Sequence, residues 1–291
     1  MTFRKILCPI DFSPGSRSAM AQAARLAREH GAELVLLHAW FLPVLSGEYM
    51  FPAAIGQELA TAARRDLDAA VDEARGLGVA TVTSRLINDA APQAILAAAE
   101  ADPGIDVIVI GTHGQSGLGR FVLGSVAEAV VRHAPRPVIT IRHHLELRPF
   151  KNVLVPIDFS PRSREAMNLA AEVAQAGGGG ITLIHVVELP VAWGELRPFD
   201  VDRELSHRAV AELKTWADEL AGKTAVAVST RVCVGNPGHQ LLDVLGSELA
   251  FDLVVIGSHG RTGLARLALG SVAEKIIRHA PCAVLVTRHA K

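Results

Sequence analysis

Two stretches of this sequence carry nearly the same glycine-rich pattern, "IVIGTHGQSGLGRFVLGSVAE" and "VVIGSHGRTGLARLALGSVAE". The first spaces its residues as Gly111-x2-Gly114-x9-Gly124-Ser125. The second, 146 residues later, reads Gly257-x2-Gly260-x9-Gly270-Ser271. Glycine admits backbone conformations closed to other residues and lets a ligand approach the main chain closely. Successive free N–H groups leading into a helix N-terminus form an anion site, and a di- or triphosphate suits a loop of this length. The pattern is not a P-loop, since no Gly-Lys-Ser/Thr follows, nor is it the tight GxGxxG dinucleotide turn. The same residues also fit a ligand-free reading. Gly111 and Gly257 would then simply end strands, while Ser125 with Glu128, and Ser271 with Glu274, would make capping boxes. Inside the loops, His113 and His259 suit turn shaping better than phosphate contact, and Arg120 and Arg266 suit either phosphate pairing or plain solvation.

A second constellation is "PIDFSP", written identically in both halves. It places Asp11 and Asp158 just past an apolar strand, where a carboxylate can accept ribose hydroxyls, as acidic residues do in other nucleotide folds. Aspartate is also an ordinary strand-to-helix residue, and Ser13 or Ser160 is available as a helix cap.

The elements that must hold these residues follow from an internal repeat. "KILCPIDFSPGSRSAM" matches "NVLVPIDFSPRSREAM", "ELVLLHAW" matches "GITLIHVV", and "GSVAEAVVRHAPRPVITI" matches "GSVAEKIIRHAPCAVLVT", in the same order. The period is too long for a solenoid, so the chain is a duplicated domain. The expected units are 1–145 and 150–291, joined near "HHLELRPF". Within the first half, residues 4–9 predict a buried strand. A helix follows with Ser13 as N-cap, Pro14 at its first position and Gly31 at its stop. "ELVLLHA" is a second strand, 56–76 a helix, "VATVTSRLI" a third strand and "APQAILAAAEA" a helix. "IDVIVIG" is a fourth strand, 124–134 a helix and "RPVITIR" a fifth strand. Strands alternating with helices imply right-handed crossovers and a parallel sheet covered on both faces. The fold class is therefore α/β, with two tandem doubly wound domains. Each is a five-stranded parallel sheet of order 3-2-1-4-5 with helices on both faces, and its ligand sits beyond the carboxyl ends of the strands where the order reverses.

Composition narrows the function. The chain has 291 residues, of which 49% are hydrophobic, and its net charge is −1. A near-neutral balance argues against a nucleic-acid partner. No run is long and apolar enough to predict a membrane span. The N-terminus reads as a first strand and not as a signal peptide, so the expected location is cytoplasmic. Cys8, Cys233 and Cys282 are scattered and odd in number, which predicts three small core hydrophobes in place of disulfides or a zinc site. His38 and His185, in apolar strands, predict satisfied core histidines. The "RHAP" repeats put Arg and His at helix C-termini, where they complement the dipole.

The glycine spacing, the proline–x–aspartate at the first strand end and the five-strand order together resemble the universal stress protein family, over nearly the whole chain and in both halves. The resemblance implies ATP as the cofactor, with Mg²⁺ as a companion of its phosphates. It implies that Asp11 and Asp158 contact ribose, and that Pro9 and Pro156 shape the cleft. Ala39 and Val186 would present backbone groups to adenine, and Ile110 and Ile256 would pack on the nucleoside. Gly111, Gly114, Gly124, Ser125 and Val126 would cradle the phosphates, as would Gly257, Gly260, Gly270, Ser271 and Val272. Fifth-strand edges of such domains pair, here within one chain or as a homodimer. The halves differ in one place: "LINDAAPQAIL" carries Asp89 where "VCVGNPGHQLL" carries Gly235, which predicts a weaker first site. The expected function is a nucleotide-dependent regulator of the stress response. The alternatives are a weak ATP hydrolase or nucleotidyl-transfer enzyme, and a nucleotide-free scaffold; no catalytic residue is assigned, because no cationic clamp or general base stands out beside the loops.

Overall fold

The structure, a computed structural model, describes residues 3–41, 53–112, 123–143, 148–188, 201–247, 251–258 and 269–288. Contacts divide the chain into two compact units, Phe3–Leu147 and Arg148–His289. The first contains β1 (Lys5–Pro9), α1 (Pro14–His30), β2 (Glu33–Trp40), α2 (Ala53–Gly76) and β3 (Thr81–Asn88). It continues with α3 (Ala91–Ala101), β4 (Val107–Gly111), α4 (Ser125–His133) and β5 (Val138–Ile141). The second repeats the sequence of elements: β6 (Asn152–Pro156), α5 (Pro161–Gly177), β7 (Gly180–Val187), α6 (Val201–Ala221) and β8 (Ala227–Val234). Then come α7 (Pro237–Leu245), β9 (Leu253–Gly257), α8 (Ser271–His279) and β10 (Ala283–Thr287).

Within the first unit the strand order is β3-β2-β1-β4-β5; within the second it is β8-β7-β6-β9-β10. Neighbouring strands in each unit pair in parallel. This is the doubly wound order expected from the alternation of strands and helices. The central strands are nearly continuous apolar runs because helices cover both faces. Ile6, Leu7 and Cys8 of β1, and Val153, Leu154 and Val155 of β6, are fully buried. In α2, Leu67, Ala70, Val71 and Ala74 are buried, and in α6 so are Leu213, Trp216, Ala217 and Leu220. Both sets recur at i, i+3, i+4 and i+7, the stripe of a helix lying on a sheet.

Local signals close the first helices as the sequence predicts. Ser13 caps α1 by accepting from Ser16 N–H at 3.2 Å, Pro14 opens the helix, and Gly31 ends it in the left-handed region at φ 65°. Ser160 and Gly178 do the same for α5. One expectation fails. Cys8 and Cys282 are buried, but Cys233 is only half-buried. It lies on β8, an edge strand whose residues are mostly exposed, so it is not a core hydrophobe. Among the described residues no helix is long and apolar enough to cross a membrane.

Candidate functional site

The site is built where β6 and β9, neighbours in the sheet, part company. β6 ends at Pro156, and Ile157 N–H still holds the sheet by donating to Ile184 O at 2.7 Å. Asp158 follows, and its Oδ1 accepts Ser160 N–H at 3.0 Å. In the first unit, Asp11 Oδ1 accepts both the N–H and the hydroxyl of Ser13. Each aspartate is thus anchored by the serine that caps the next helix, with its carboxylate held at the strand end.

Between aspartate and serine stands a phenylalanine in the left-handed region: Phe12 at φ 64° and Phe159 at φ 62°. A bulky residue there is strained. Its ring packs on a histidine from the second strand, Phe12 on His38 at 4.5 Å and Phe159 on His185 at 4.6 Å between centroids. The histidines are satisfied, as predicted: Nδ1 of His38 is 2.8 Å from Ile10 O, and that of His185 is 2.7 Å from Ile157 O. Both are half-buried and not in the deep core. In the second unit the stack continues, with Trp216 edge-on to Phe159 at 5.5 Å and the Arg164 guanidinium 4.0 Å over Trp216. The sequence reading missed these phenylalanines, although the repeated word "PIDFSP" contains them.

The glycine segments leave and rejoin the sheet at fixed points. Gly124 N–H donates to Thr112 O at 2.8 Å, and Gly270 N–H donates to Ser258 O at 2.9 Å. This closes the base of each segment and sets where the next helix begins. Gly124 and Gly270 are the N-caps of α4 and α8, with no side-chain cap hydrogen bond; Ser125 and Ser271 come one position later. The expected capping boxes therefore do not form. The serine is one residue too far along to cap. The glutamate side chains pair instead one turn on, Glu128 with Arg132 and Glu274 with Arg278, each at 2.9 Å. Two helix starts without a side-chain acceptor, each carrying positive dipole, face the carboxyl edge of the sheet.

Gly111 has a second duty. A Cβ there would lie 2.8 Å from Gly15 O and 2.9 Å from Gly15 C, so α1 and β4 approach too closely for any side chain.

In the second unit these parts enclose a cleft of about 670 Å³, within the range of small-molecule sites. Of the predicted residues it is lined by Pro156, Asp158, Val186, Ile256, Gly257, Gly270, Ser271 and Val272. It is also lined by residues to which the sequence alone gave no ligand role: Phe159 and His185, Glu188 after β7, Arg208 and Glu212 of α6, and Pro237 and Leu241 of α7. In the first unit, Pro9 ends β1, Ala39 is the penultimate residue of β2, Ile110 and Gly111 end β4, and Gly124, Ser125 and Val126 start α4. They occupy the same carboxyl edge. Gly114, Gly260, His113, His259, Arg120 and Arg266 lie outside the described residues. Among the described residues no cluster of three His, Cys, Asp or Glu side chains is arranged to hold a metal ion.

The walls of the two units differ where their frames agree. By the repeat offset, Arg208 and Glu212 correspond to Ala62 and Asp66, and Trp216 to Ala70. Gly235 adopts φ 135°, and Asn236 caps α7 through His239 N–H at 3.1 Å. In the first unit Asp89 accepts from Ala90 N–H at 2.7 Å, and Ala90 is the N-cap of α3 and supplies no side-chain cap.

Comparison with known proteins gives a consistent result. The model of the universal stress protein family matches residues 2–142 and again 149–288. A universal stress protein of Mycolicibacterium smegmatis is 29% identical over 303 aligned positions, covering 97% of this chain and 96% of the relative. Universal stress protein A homolog 1 of Coxiella burnetii is 34% identical over 137 positions, covering 47% of this chain and 94% of that one. The crystal structure of a universal stress protein from Archaeoglobus fulgidus superposes with a TM-score of 0.78 at 22% identity, covering 99% of both chains.

Proposed function

Because this chain belongs to the universal stress protein family, we propose that it is an ATP-binding, nucleotide-dependent regulator of the stress response, acting in the cytoplasm. One observation carries the reading. In the second unit the bare N-terminus of α8 at Gly270 and the carboxylate of Asp158 line the same cleft. An uncapped helix start suits phosphate oxygens, and a carboxylate at the strand end suits ribose hydroxyls. Ile256 and Val186 supply the apolar wall for a base. Mg²⁺, where it accompanies ATP, would arrive on the phosphates. The second cleft is the stronger site, since it carries the cation Arg208 where the first unit has Ala62, and Gly235 where the first has Asp89.

A nucleotide-free, structural reading is favoured at one position. Gly111 is required by its approach to Gly15 whether or not a ligand binds. Extraction of nucleotide from freshly purified protein, followed by chromatography, separates the readings. Bound ATP supports the regulator, and bound ADP as the main species favours the hydrolase. Absence of nucleotide, with no binding when ATP is added back, refutes nucleotide regulation and leaves the scaffold.

A further inference from the structure

The start of α5 and the end of β10 bring two arginines together in the second unit. Arg162 follows Pro161 in the first turn of α5, and Arg288 comes directly after Thr287, the last residue of β10. α5 packs across β9 and β10, and Thr287 stands opposite Gly257 in the sheet register. The pair sits near the point where the glycine segment leaves the sheet, yet neither arginine lines the cleft.

Their chemistry is unbalanced. Nη1 of Arg162 and Nε and Nη2 of Arg288 are buried without a hydrogen-bond partner among the described residues. Burial, and then the charge of Arg162, push Arg288 below the ordinary arginine range. Two other arginines with an orphan nitrogen are engaged through their remaining atoms. Arg278 pairs with Glu274 at 2.9 Å, and Arg136 donates to Pro103 O at 3.3 Å. Among the described residues neither Arg162 nor Arg288 has a carboxylate partner. Two like charges with buried donors and no acceptor are an unfavourable arrangement, which a bound anion would relieve.

We propose that Arg162 and Arg288 form a binding site for a small free oxyanion of the phosphate class, held between the two guanidinium groups. Tetrahedral oxyanions accept from planar arginine forks at several points at once, and the positive end of α5 adds to the field. Both residues keep part of their surface in solvent, but the orphan nitrogens are themselves covered, so the anion binds only as the two side chains turn toward it. The buried nitrogens favour a small ligand over a bulky one. The first unit does not offer this site. Gly15 stands in place of Arg162, with its carbonyl against Gly111, and Arg142, in place of Arg288, has an interaction of its own.

The test is calorimetric titration of the full chain with inorganic phosphate, with and without saturating ATP, on the parent, Arg162→Gly and Arg288→Met. Phosphate should bind the parent in both conditions, and each variant should weaken it by about tenfold or more. Absence of phosphate binding across the millimolar range overturns the proposal, as does unchanged binding by the variants. Loss of phosphate binding when ATP is present would place the anion in the cleft and also overturn it. If Arg288→Met does not fold, Arg162→Gly decides alone, because it copies the residue that the first unit uses at that place. The proposal does not depend on ATP binding: phosphate binding that is sensitive to Arg162→Gly stands even if the cleft binds no nucleotide.

Discussion

Replacing Ser271 by aspartate separates a phosphate-binding helix start from a merely structural one. Ser271 is the first residue of α8, follows an N-cap glycine that makes no side-chain cap bond, lines the cleft and is exposed. In nucleotide-free protein the new carboxylate lies at the positive end of the helix dipole, which stabilises by about 0.3–1 kcal/mol. Against a bound phosphate the same charge is repulsive. At about 5 Å, with an effective dielectric between 20 and 80, one pair of charges costs roughly 1–3 kcal/mol. That corresponds to a loss of affinity of about five- to 150-fold. Stability and binding therefore move in opposite directions. Thermal unfolding of stripped protein reads the first, and calorimetric titration with ATP reads the second. Ser271→Asn, neutral and close in shape, is the control and should bind nearly as the parent does. Unchanged ATP affinity in Ser271→Asp, with the fold intact, would refute the assignment of α8 as the phosphate end of the cleft.

Other outcomes follow from single contacts. Gly111→Ala drives a Cβ to 2.8 Å from the Gly15 carbonyl oxygen, a backbone atom that cannot swing away, so it should destabilise the first unit by about 1–3 kcal/mol in denaturant unfolding, with or without nucleotide. Arg208→Ala copies Ala62 of the first unit and should weaken ATP binding in the second cleft without lowering thermal stability, since its ion pair with Glu204 is exposed and exposed pairs contribute little; unchanged ATP titration would count against that wall residue. Asp102 is held below the usual aspartate range first by the Arg85 hydrogen bond and also by Lys5. Its folded form takes up a proton less readily than its unfolded form, so its stabilisation is present above the ordinary aspartate range and is lost as pH falls through the lowered value. Acid unfolding of Asp102→Asn should show less pH dependence than the parent. Burial pushes the Cys8 thiol up to about 12, and Cys282 is buried too. Mass spectrometry after native alkylation at neutral pH should find the label on Cys233, with Cys8 and Cys282 labelled only after denaturation.

The features legible in the sequence were those written locally. Ser13, Pro14 and Gly31 bound α1 through contacts within a few residues, and apolar runs alternating with helical stripes marked the strands, the helices and the parallel α/β class. The capping boxes misled because Ser-x-x-Glu looks the same whether the serine is the cap or the residue after it. The Gly124 N–H bond to Thr112 O, made across the segment, decides that register. Phe12 and Phe159 were hidden for a different reason. The left-handed region is so unfavourable for phenylalanine that no propensity would place it there, and only the histidine of the neighbouring strand shows what its ring packs against. Arg208 and Glu212 belong to no motif, and only the packing of α6 on the sheet brings them to the cleft.

The two halves therefore differ in a patterned way. The parts fixed by backbone are duplicated faithfully: the anchored aspartate, the strained phenylalanine, the segment base closed on Thr112 or Ser258, and the helix that starts at a glycine. The parts that are side chains on surrounding helices have diverged, with arginine against alanine, tryptophan against alanine, and a capping asparagine against alanine. Backbone donors recognise any anion of suitable shape, so a faithful frame preserves the class of ligand that both halves can hold. Side-chain walls set how tightly each cleft holds it and which variant it prefers. Under the proposed nucleotide-binding reading, a duplication that kept its frame and changed its walls would provide two sites of one chemistry tuned to different occupancy. If the chain is the nucleotide-dependent regulator proposed above, that would let it respond over a wider range of nucleotide concentration than one cleft alone.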